Sequence, residues 1–298
     1  MLVQILYLQD DLFSAKIALM KTLILLFIII MILCLLVYFL LAPKRASAEL
    51  RKRFCGCKFA HRGLHSKDKT VPENSLSAFR LAIEAGYGIE LDIRLTKDQK
   101  IVVFHDDTVL RMCGIDRTVD SFTYEELKEL RLLDTDERIP LFSEVLSLVA
   151  GRIPLLVEFK SGPSNALLCE SAYDMLQTYS GVYCIESFHP MIVRWFKKHA
   201  PQVLRGQLSA PRQSFAGVLA PCSAFLLSHL LTNFLARPNF IAYHKGKVPF
   251  SVAFCQRLGA LRAVWTLRDT DYHDLSCIQD TPQLFGENDM IIFEFFRP

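Results

Sequence analysis

Short apolar segments alternate with helical segments from residue 58 almost to the end of the chain. This alternation constrains the fold most, because strands that are joined by helices pair in parallel. The chain contains about eight strand–helix units, which favours an α/β fold of the closed (β/α)8 TIM barrel type. No G-x-G-x-x-G loop follows the first strand, which argues against an open dinucleotide-binding sheet. The predicted strands are 58–61, 88–95, 100–105, 155–160, 182–188, 205–208, 240–243, 263–267 and 290–293.

A run of apolar residues, 23–42, precedes this pattern and contains no charge, Pro or Gly. At about 1.5 Å per residue it covers the roughly 30 Å hydrocarbon core of a bilayer, which predicts one N-terminal transmembrane helix. Ala46-Ser47-Ala48 resembles a signal-peptide cleavage site, but the run exceeds the roughly 7–15 residues of the hydrophobic region in a signal peptide, which favours an uncleaved anchor. The predicted organisation is a short tail at 1–22, the transmembrane helix at 23–42, a basic linker at 43–56 and the barrel domain at 57–298.

Lys and Arg are unequally distributed around this span. Lys16 and Lys21 precede it, and the residues that follow it are Lys44, Arg45, Arg51, Lys52, Arg53 and Lys58. The flank richer in Lys and Arg generally stays in the cytoplasm, so we expect a single-pass membrane protein with a cytoplasmic barrel. The nine Cys lack zinc-finger spacing and are expected to be free thiols. A net charge of only +3 argues against a nucleic-acid partner. The expected partner is membrane lipid, through the anchor.

Carboxylates lie within two predicted strands where an apolar residue is expected. Glu90 and Asp92 are two residues apart and share one face of their strand, and Glu158 lies in a later strand. Carboxylates that meet at the carboxyl ends of barrel strands repel each other unless a cation joins them. Their oxygens suit Mg²⁺ or Ca²⁺, so the sequence predicts a divalent metal site. Taken alone, this pattern also fits an edge strand with a solvated polar face.

Two histidines end other predicted strands. His61 is the last residue of the first predicted strand, and His105 is the last residue of the third. Both are therefore candidates for proton transfer. Arg62 and Lys160 are candidate ligands of a phosphate group. Trp265 is a candidate wall of the pocket, although an aromatic residue in a barrel strand is more often part of the packing.

Together these motifs resemble the glycerophosphodiester phosphodiesterase family. The resemblance is specific up to residue 160 and thinner from there to about residue 268. Its motifs are His61-Arg62-Gly63, Pro72-Glu73-Asn74-Ser75, Glu90-Leu91-Asp92, His105-Asp106, Leu110-Arg111, Glu158-Phe159-Lys160, Ser187-Phe188 and Trp265-Thr266. The resemblance implies a TIM barrel, a divalent metal held by Glu90, Asp92 and Glu158, a catalytic pair of His61 and His105, and a phosphate bound by Arg62 and Lys160.

The activity implied by the resemblance is hydrolysis of glycerophosphodiesters to glycerol 3-phosphate and an alcohol. One alternative is lysophospholipase D-type hydrolysis of lysophospholipids at the membrane, since the anchor would hold the site near lipid. Another is a catalytically silent, membrane-bound binding module. The closing strand departs from the family, because Asn288–Phe295 replaces the usual Gly-Val-Asp-Gly-Ile-Ile-Thr-Asp and lacks its Thr-Asp pair.

Overall fold

Eight parallel strands form a closed barrel in a computed structural model, which describes residues 2–268 and 289–294. The barrel closes because the first strand pairs with both the second and the last. The predicted (β/α)8 barrel is therefore confirmed. The strands are β1 Lys58–Ala60, β2 Gly88–Leu95, β3 Ile101–Val103, β4 Leu155–Phe159, β5 Tyr183–Ser187, β6 Arg205–Ser209, β7 Phe240–His244, β8 Leu261–Arg268 and β9 Met290–Glu294. Within the predicted barrel domain, residues 269–288 and 295–298 lie outside this description, as do Asn288 and Phe295 of the closing-strand motif.

The strand β3 is the exception to parallel pairing, and its assignment to the parallel barrel was wrong. It pairs antiparallel with β2, with Val103 opposite Ile93. The connection between the two strands is a tight turn, which is too short for the crossover that a parallel pair needs. The hairpin nevertheless returns the chain to the mouth of the barrel, since the Phe104 amide donates to the Asp92 carbonyl at 2.9 Å. His105 therefore lies beside the end of β2.

The helices surround the barrel, and the main apolar core lies between the two layers. Ile89, Leu91 and Ile93 of β2 are buried in this core, whereas the alternate residues Glu90 and Asp92 face the barrel interior. The helices are α1 Leu2–Leu41, α2 Ala48–Phe54, α3 Leu76–Glu84, α4 Leu110–Cys113, α5 Tyr124–Leu127, α6 Phe142–Val149, α7 Asn165–Thr178, α8 Pro190–His199, α9 Pro221–Ser228, α10 Asn233–Ala236 and α11 Phe250–Arg257. The start of α5 is capped, since Thr123 and Glu126 form a capping box.

The N-terminal helix α1 is longer than the predicted span, because it begins at Leu2 within the segment predicted as a tail. Its portion Ala15–Leu41 is long and apolar enough to cross a membrane, a property that signal sequences share. The predicted basic linker, 43–56, packs against the barrel. Arg45 Nε donates to the Leu258 carbonyl at 3.0 Å, and Arg51 Nη2 donates to the Gly259 carbonyl at 2.7 Å.

The strand β9 closes the barrel despite its departure from the family pattern. Phe293 is fully buried in the main core, and its ring meets Tyr87 edge-on at a centroid distance of 4.8 Å. In the pairing of β9 with β1, Ile292 lies opposite Phe59. The strand therefore closes the barrel without the family's Thr-Asp pair.

Truncation at this closure should destabilise the fold strongly. Phe293→Ala removes a buried ring, which costs about 3–5 kcal/mol, or about 6 °C or more in melting temperature for a domain of this size. Thermal unfolding of the detergent-solubilised full chain, followed by circular dichroism, measures the change. Phe250→Ala is the control, because Phe250 is 70% exposed and should change stability by no more than about 0.5 kcal/mol. Equal melting of the two variants would contradict closure by β9.

Candidate active site

Three carboxylates from two neighbouring strands meet at the mouth of the barrel. Glu90 and Asp92 lie on β2 and Glu158 lies on β4, and all three are buried. The two strands pair so that Asp92 lies directly opposite Glu158. One oxygen of each carboxylate lies within 4.8 Å of the others, so a single cation can contact all three. The structure therefore brings the predicted metal ligands together.

Burial and mutual repulsion shift the acidity of this cluster. Burial, reinforced by Asp92, Glu158 and Glu186, raises the pKa of Glu90 well above its usual value. Burial also raises the pKa of Glu158. Although burial acts in the same direction on Asp92, the charges of Lys160, His105 and Arg62 hold its pKa well below the ordinary value. The cluster therefore holds more carboxylate than its own cations neutralise, which is the electrostatic setting of a cation site.

Lys160 lies among these carboxylates. Its Nζ is 2.8 Å from Asp92 Oδ1 and 2.6 Å from Glu158 Oε1, and both partners raise the pKa of the lysine against the effect of burial. The predicted phosphate ligand is thus in direct contact with the predicted metal ligands. A phosphate that approached the cluster would meet the ammonium group at once.

Arg62 occupies a left-handed turn directly after β1. Its φ of 56° and that of Gly63, 81°, direct the Arg62 amide toward Glu90 Oε2, to which it donates at 2.8 Å. The guanidinium Nη1 donates to Glu73 at 2.8 Å. The buried Nε donates no hydrogen bond and lies 3.7 Å from Asp92 Oδ2. The second predicted phosphate ligand is therefore held beside the predicted metal ligands as well.

His61 is supported by the closing strand. Its Nδ1 lies 3.3 Å from Glu294 Oε1, and Arg268 Nε donates to the other oxygen of Glu294 at 2.9 Å. Burial lowers the pKa of His61 to about 4, although Glu294 partly opposes this effect. The hydrogen bond with His61 helps to lower the pKa of Glu294 to about 2, despite its burial. The imidazole is therefore neutral near pH 7, with Nε2 left for the cavity.

His105 is supported by a different network. Its Nδ1 is 2.6 Å from Asp106 Oδ1, and Arg111 donates to Asp106 at 2.6 Å and to both oxygens of Glu73 at 2.6 and 3.0 Å. Because Glu73 also accepts from Arg62, this chain of charges connects the two histidine-bearing segments. Ion pairs that share partners in this way fix side-chain orientation better than isolated ones.

Both histidines open into one cavity of about 320 Å³. Its polar side carries the carboxylates Glu90 and Glu158 together with Arg62 and Lys160. Its remaining lining residues are Glu186, Phe188, Leu208, Trp265 and Ile292. Trp265 lines this cavity, and its ring meets Phe188 edge-on at 5.7 Å. All eight residues predicted for the site therefore lie at or beside the same cavity.

Four further charged residues at the site had no predicted role. Glu73 and Arg111 belong to recognised motifs, but only the fold shows that they pair with each other. Glu294 is hidden in the divergent closing strand, and Glu186 lies in β5 directly opposite Glu158. The available signal for Glu186 was a charged residue directly after the apolar pair Cys184-Ile185, as Glu158 follows apolar residues in its own strand.

Comparisons with known proteins show which family the chain resembles. A model of the glycerophosphoryl diester phosphodiesterase family matches residues 61–281. A glycerophosphodiester phosphodiesterase of Caldanaerobacter subterraneus is 38% identical over 163 residues, covering 50% of this chain and 65% of that protein. A human lysophospholipase D is 29% identical over 151 residues, covering 46% of each chain. The chain therefore spans less than two thirds of the length of these relatives.

A solved structure extends the likeness across the barrel. The glycerophosphodiester phosphodiesterase of Thermotoga maritima superposes with a TM-score of 0.57 at 25% identity. The superposition covers 79% of this chain and 93% of that one.

Removing the charge of Glu294 should lower the pKa of His61. Glu294→Gln abolishes the ion pair that favours the imidazolium, so the pKa of His61 should fall below its value of about 4. Titration of the ring nitrogens by NMR measures this shift. Glu170→Gln, on the exposed face of α7, is the matched control and should leave His61 unchanged. An unchanged or higher pKa in Glu294→Gln would show that Glu294 does not support His61.

Proposed function

The chain belongs to the glycerophosphoryl diester phosphodiesterase family, and we propose that it is a metal-dependent hydrolase of glycerophosphodiesters. The observation that carries this proposal is the meeting of three buried carboxylates and two histidines at one cavity. The expected products are glycerol 3-phosphate and an alcohol. The barrel domain, 57–298, would contain the whole catalytic site.

The donor set fits a hard divalent cation. Glu90, Asp92 and Glu158 would hold Mg²⁺ or Ca²⁺ through carboxylate oxygens, which are the ligands that both ions prefer. The raised pKa values of Glu90 and Glu158 support this assignment, because a cation removes the repulsion that causes part of the shift. When bound, the ion would stabilise negative charge on the phosphate oxygens.

The residues of the chain supply the remaining catalytic roles. Arg62 and Lys160 would bind the phosphate oxygens and orient the scissile P–O bond. A pKa of about 4 leaves the His61 imidazole unprotonated near pH 7, so it would be able to accept a proton from the attacking water or substrate hydroxyl. His105, held against the Asp106 carboxylate, is suited to donate a proton to the leaving alcohol oxygen as its bond to phosphorus breaks. Each imidazole is oriented by a carboxylate at Nδ1, so Nε2 is the atom that would exchange the proton.

Lysophospholipids are the second candidate substrates. One end of the cavity is apolar, formed by Phe188, Leu208 and Trp265, and Phe188 and Trp265 pack against the apolar cluster around Phe215. A lipid chain would find apolar contacts there that a soluble headgroup ester does not need. The candidates differ in product, since a lysophospholipid would yield lysophosphatidate and an alcohol. Turnover of lysophospholipids alone would reject the first candidate.

An uncleaved membrane anchor completes the proposal. Leu41 is buried against the barrel, and Ser47 caps α2, so cleavage after Ala48 would remove both contacts. The basic residues that follow the apolar segment favour a cytoplasmic barrel, in a single-pass membrane protein that lipid surrounds at its anchor. We propose no nucleic-acid partner.

Loss of either histidine should abolish most hydrolysis. His61→Ala and His105→Ala should each lower kcat about 10²–10⁴-fold, the usual contribution of acid–base groups. Release of glycerol 3-phosphate from glycerophosphocholine measures this rate in the presence of Mg²⁺ or Ca²⁺. A chelator should abolish wild-type activity, and the added ion should restore it. Glu84→Gln on the exposed face of α3 should retain wild-type rates. A silent binding module predicts instead no activity in any variant.

A cytoplasmic barrel should be shielded from reagents outside the cell. Glu170→Cys places a thiol on the exposed face of α7. A membrane-impermeant maleimide should label this thiol only after lysis, as detected by a mass shift relative to the wild type. Labelling in intact cells would contradict the proposed orientation.

A further inference from the structure

The charges of the barrel domain are strongly segregated. Residues 187–268 contain eleven Lys and Arg and no Asp or Glu, whereas residues 57–186 contain fifteen basic and twenty-one acidic residues. The acid-free segment forms β6, β7 and β8 with α8 to α11, which is one continuous side of the barrel. Arg212, Lys247 and Arg257 are among its exposed cations. An acid-free segment of this length, among the residues that the structure describes, is complementary to an anionic partner.

Exposed apolar side chains concentrate at the mouth end of the same side. Outside α1, eight large hydrophobic residues are exposed among those that the structure describes, and five of them lie in the segments that follow β6 and β7. We call these five the apolar rim: Val218, Phe225, Leu226, Val248 and Phe250. Val218 and Phe250 are 78% and 70% exposed. Solvent exposure on this scale is unfavourable in water, which indicates an apolar partner.

The candidate membrane span attaches to this side of the barrel. The last turn of α1 packs against α10 and α11, where Leu41 is buried and its carbonyl accepts from Cys255 Sγ at 3.1 Å. Arg237 Nη1 donates to the Ala42 carbonyl at 2.8 Å, and its guanidinium lies over the ring of Phe39. No free linker therefore separates the span from the barrel. With the barrel resting on this side, the anchor contacts before β7 and β8 and the apolar residues at the mouth end both lie next to the bilayer.

We propose that the apolar rim and the cations beside it dock onto an anionic lipid bilayer. The rim would enter the boundary between headgroups and acyl chains, while Arg212 and Lys247 would contact anionic headgroups. The mouth of the barrel would then open close to the lipid surface. The docking itself does not depend on the proposed function. One consequence does rest on that function: phosphodiesters of the headgroup layer reach the cavity without crossing bulk water.

The apolar path to the cavity fits this arrangement. Phe188 and Trp265 line the cavity and pack against Phe215, which shares a cluster with Ala224 of α9. The rim residue Phe225 follows Ala224 directly on the exposed side of that helix. Apolar side chains therefore extend from the rim to the site, as a lipid-derived substrate would require.

Fluorescence quenching by brominated lipids tests the docking directly. The full chain is reconstituted in vesicles of equal parts phosphatidylglycerol and phosphatidylcholine that carry bromine on the acyl chains. Phe250→Trp should lose about half of its added emission, because interfacial side chains reach roughly 5–10 Å into the boundary. Wild-type protein in the same vesicles corrects for Trp195 and Trp265. Leu110→Trp is the matched control, since Leu110 is also exposed but lies after β3, beside β2 on the opposite side of the barrel.

The control at Leu110 should lose less than about a tenth of its added emission, as expected for a side chain in water. Adding Lys247→Glu to Phe250→Trp should reduce the quenching at least twofold, an effect that phosphatidylcholine alone should reproduce. Equal quenching at both positions, or crosslinking of the rim to a second copy without quenching, would overturn the proposal.

Hydrolysis of a soluble glycerophosphodiester distinguishes failure of the proposed function from failure of the docking surface. Quenching without hydrolysis rejects only the proposed function, and hydrolysis without quenching rejects only the docking surface.

Discussion

Repulsion among buried carboxylates is the constraint on which the rest of this site depends. Parallel pairing places Asp92 opposite Glu158, and Glu158 opposite Glu186, so like charges face each other across three strands. Like charges in such positions are destabilising, and burial removes the water that would screen them. Lys160 neutralises part of this charge. The proposed divalent cation would neutralise two further charges of this interior cluster.

Local geometry places the two histidines proposed for acid–base catalysis around that cluster. The left-handed turn at Arg62 follows His61 and points a backbone amide at Glu90, while the β2–β3 hairpin returns His105 to the end of the same strand. Glu294 and Asp106 then orient the two rings from opposite sides. The two histidines thus have different environments, which suits them to opposite roles in proton transfer.

Local patterns in the sequence predicted most of the fold and the main site residues. The two-residue period of β2 separates Glu90 and Asp92 from the apolar core, and this separation holds in the structure. The antiparallel direction of β3 was missed because its apolar residues look the same in either direction, and only the short turn distinguishes them. The role of Glu294 could not be predicted, since its meeting with His61 depends on closure between strands more than 200 residues apart. The docking of Arg45 on the barrel depends on equally distant partners.

Calorimetric titration of the purified full chain with Mg²⁺ and Ca²⁺ tests the carboxylate site most directly. We expect one ion per chain, and we expect Asp92→Asn to lose this binding while the circular dichroism spectrum stays that of the wild type. Binding that is unchanged in Asp92→Asn, or no binding to the wild type, would contradict a cation held by Glu90, Asp92 and Glu158.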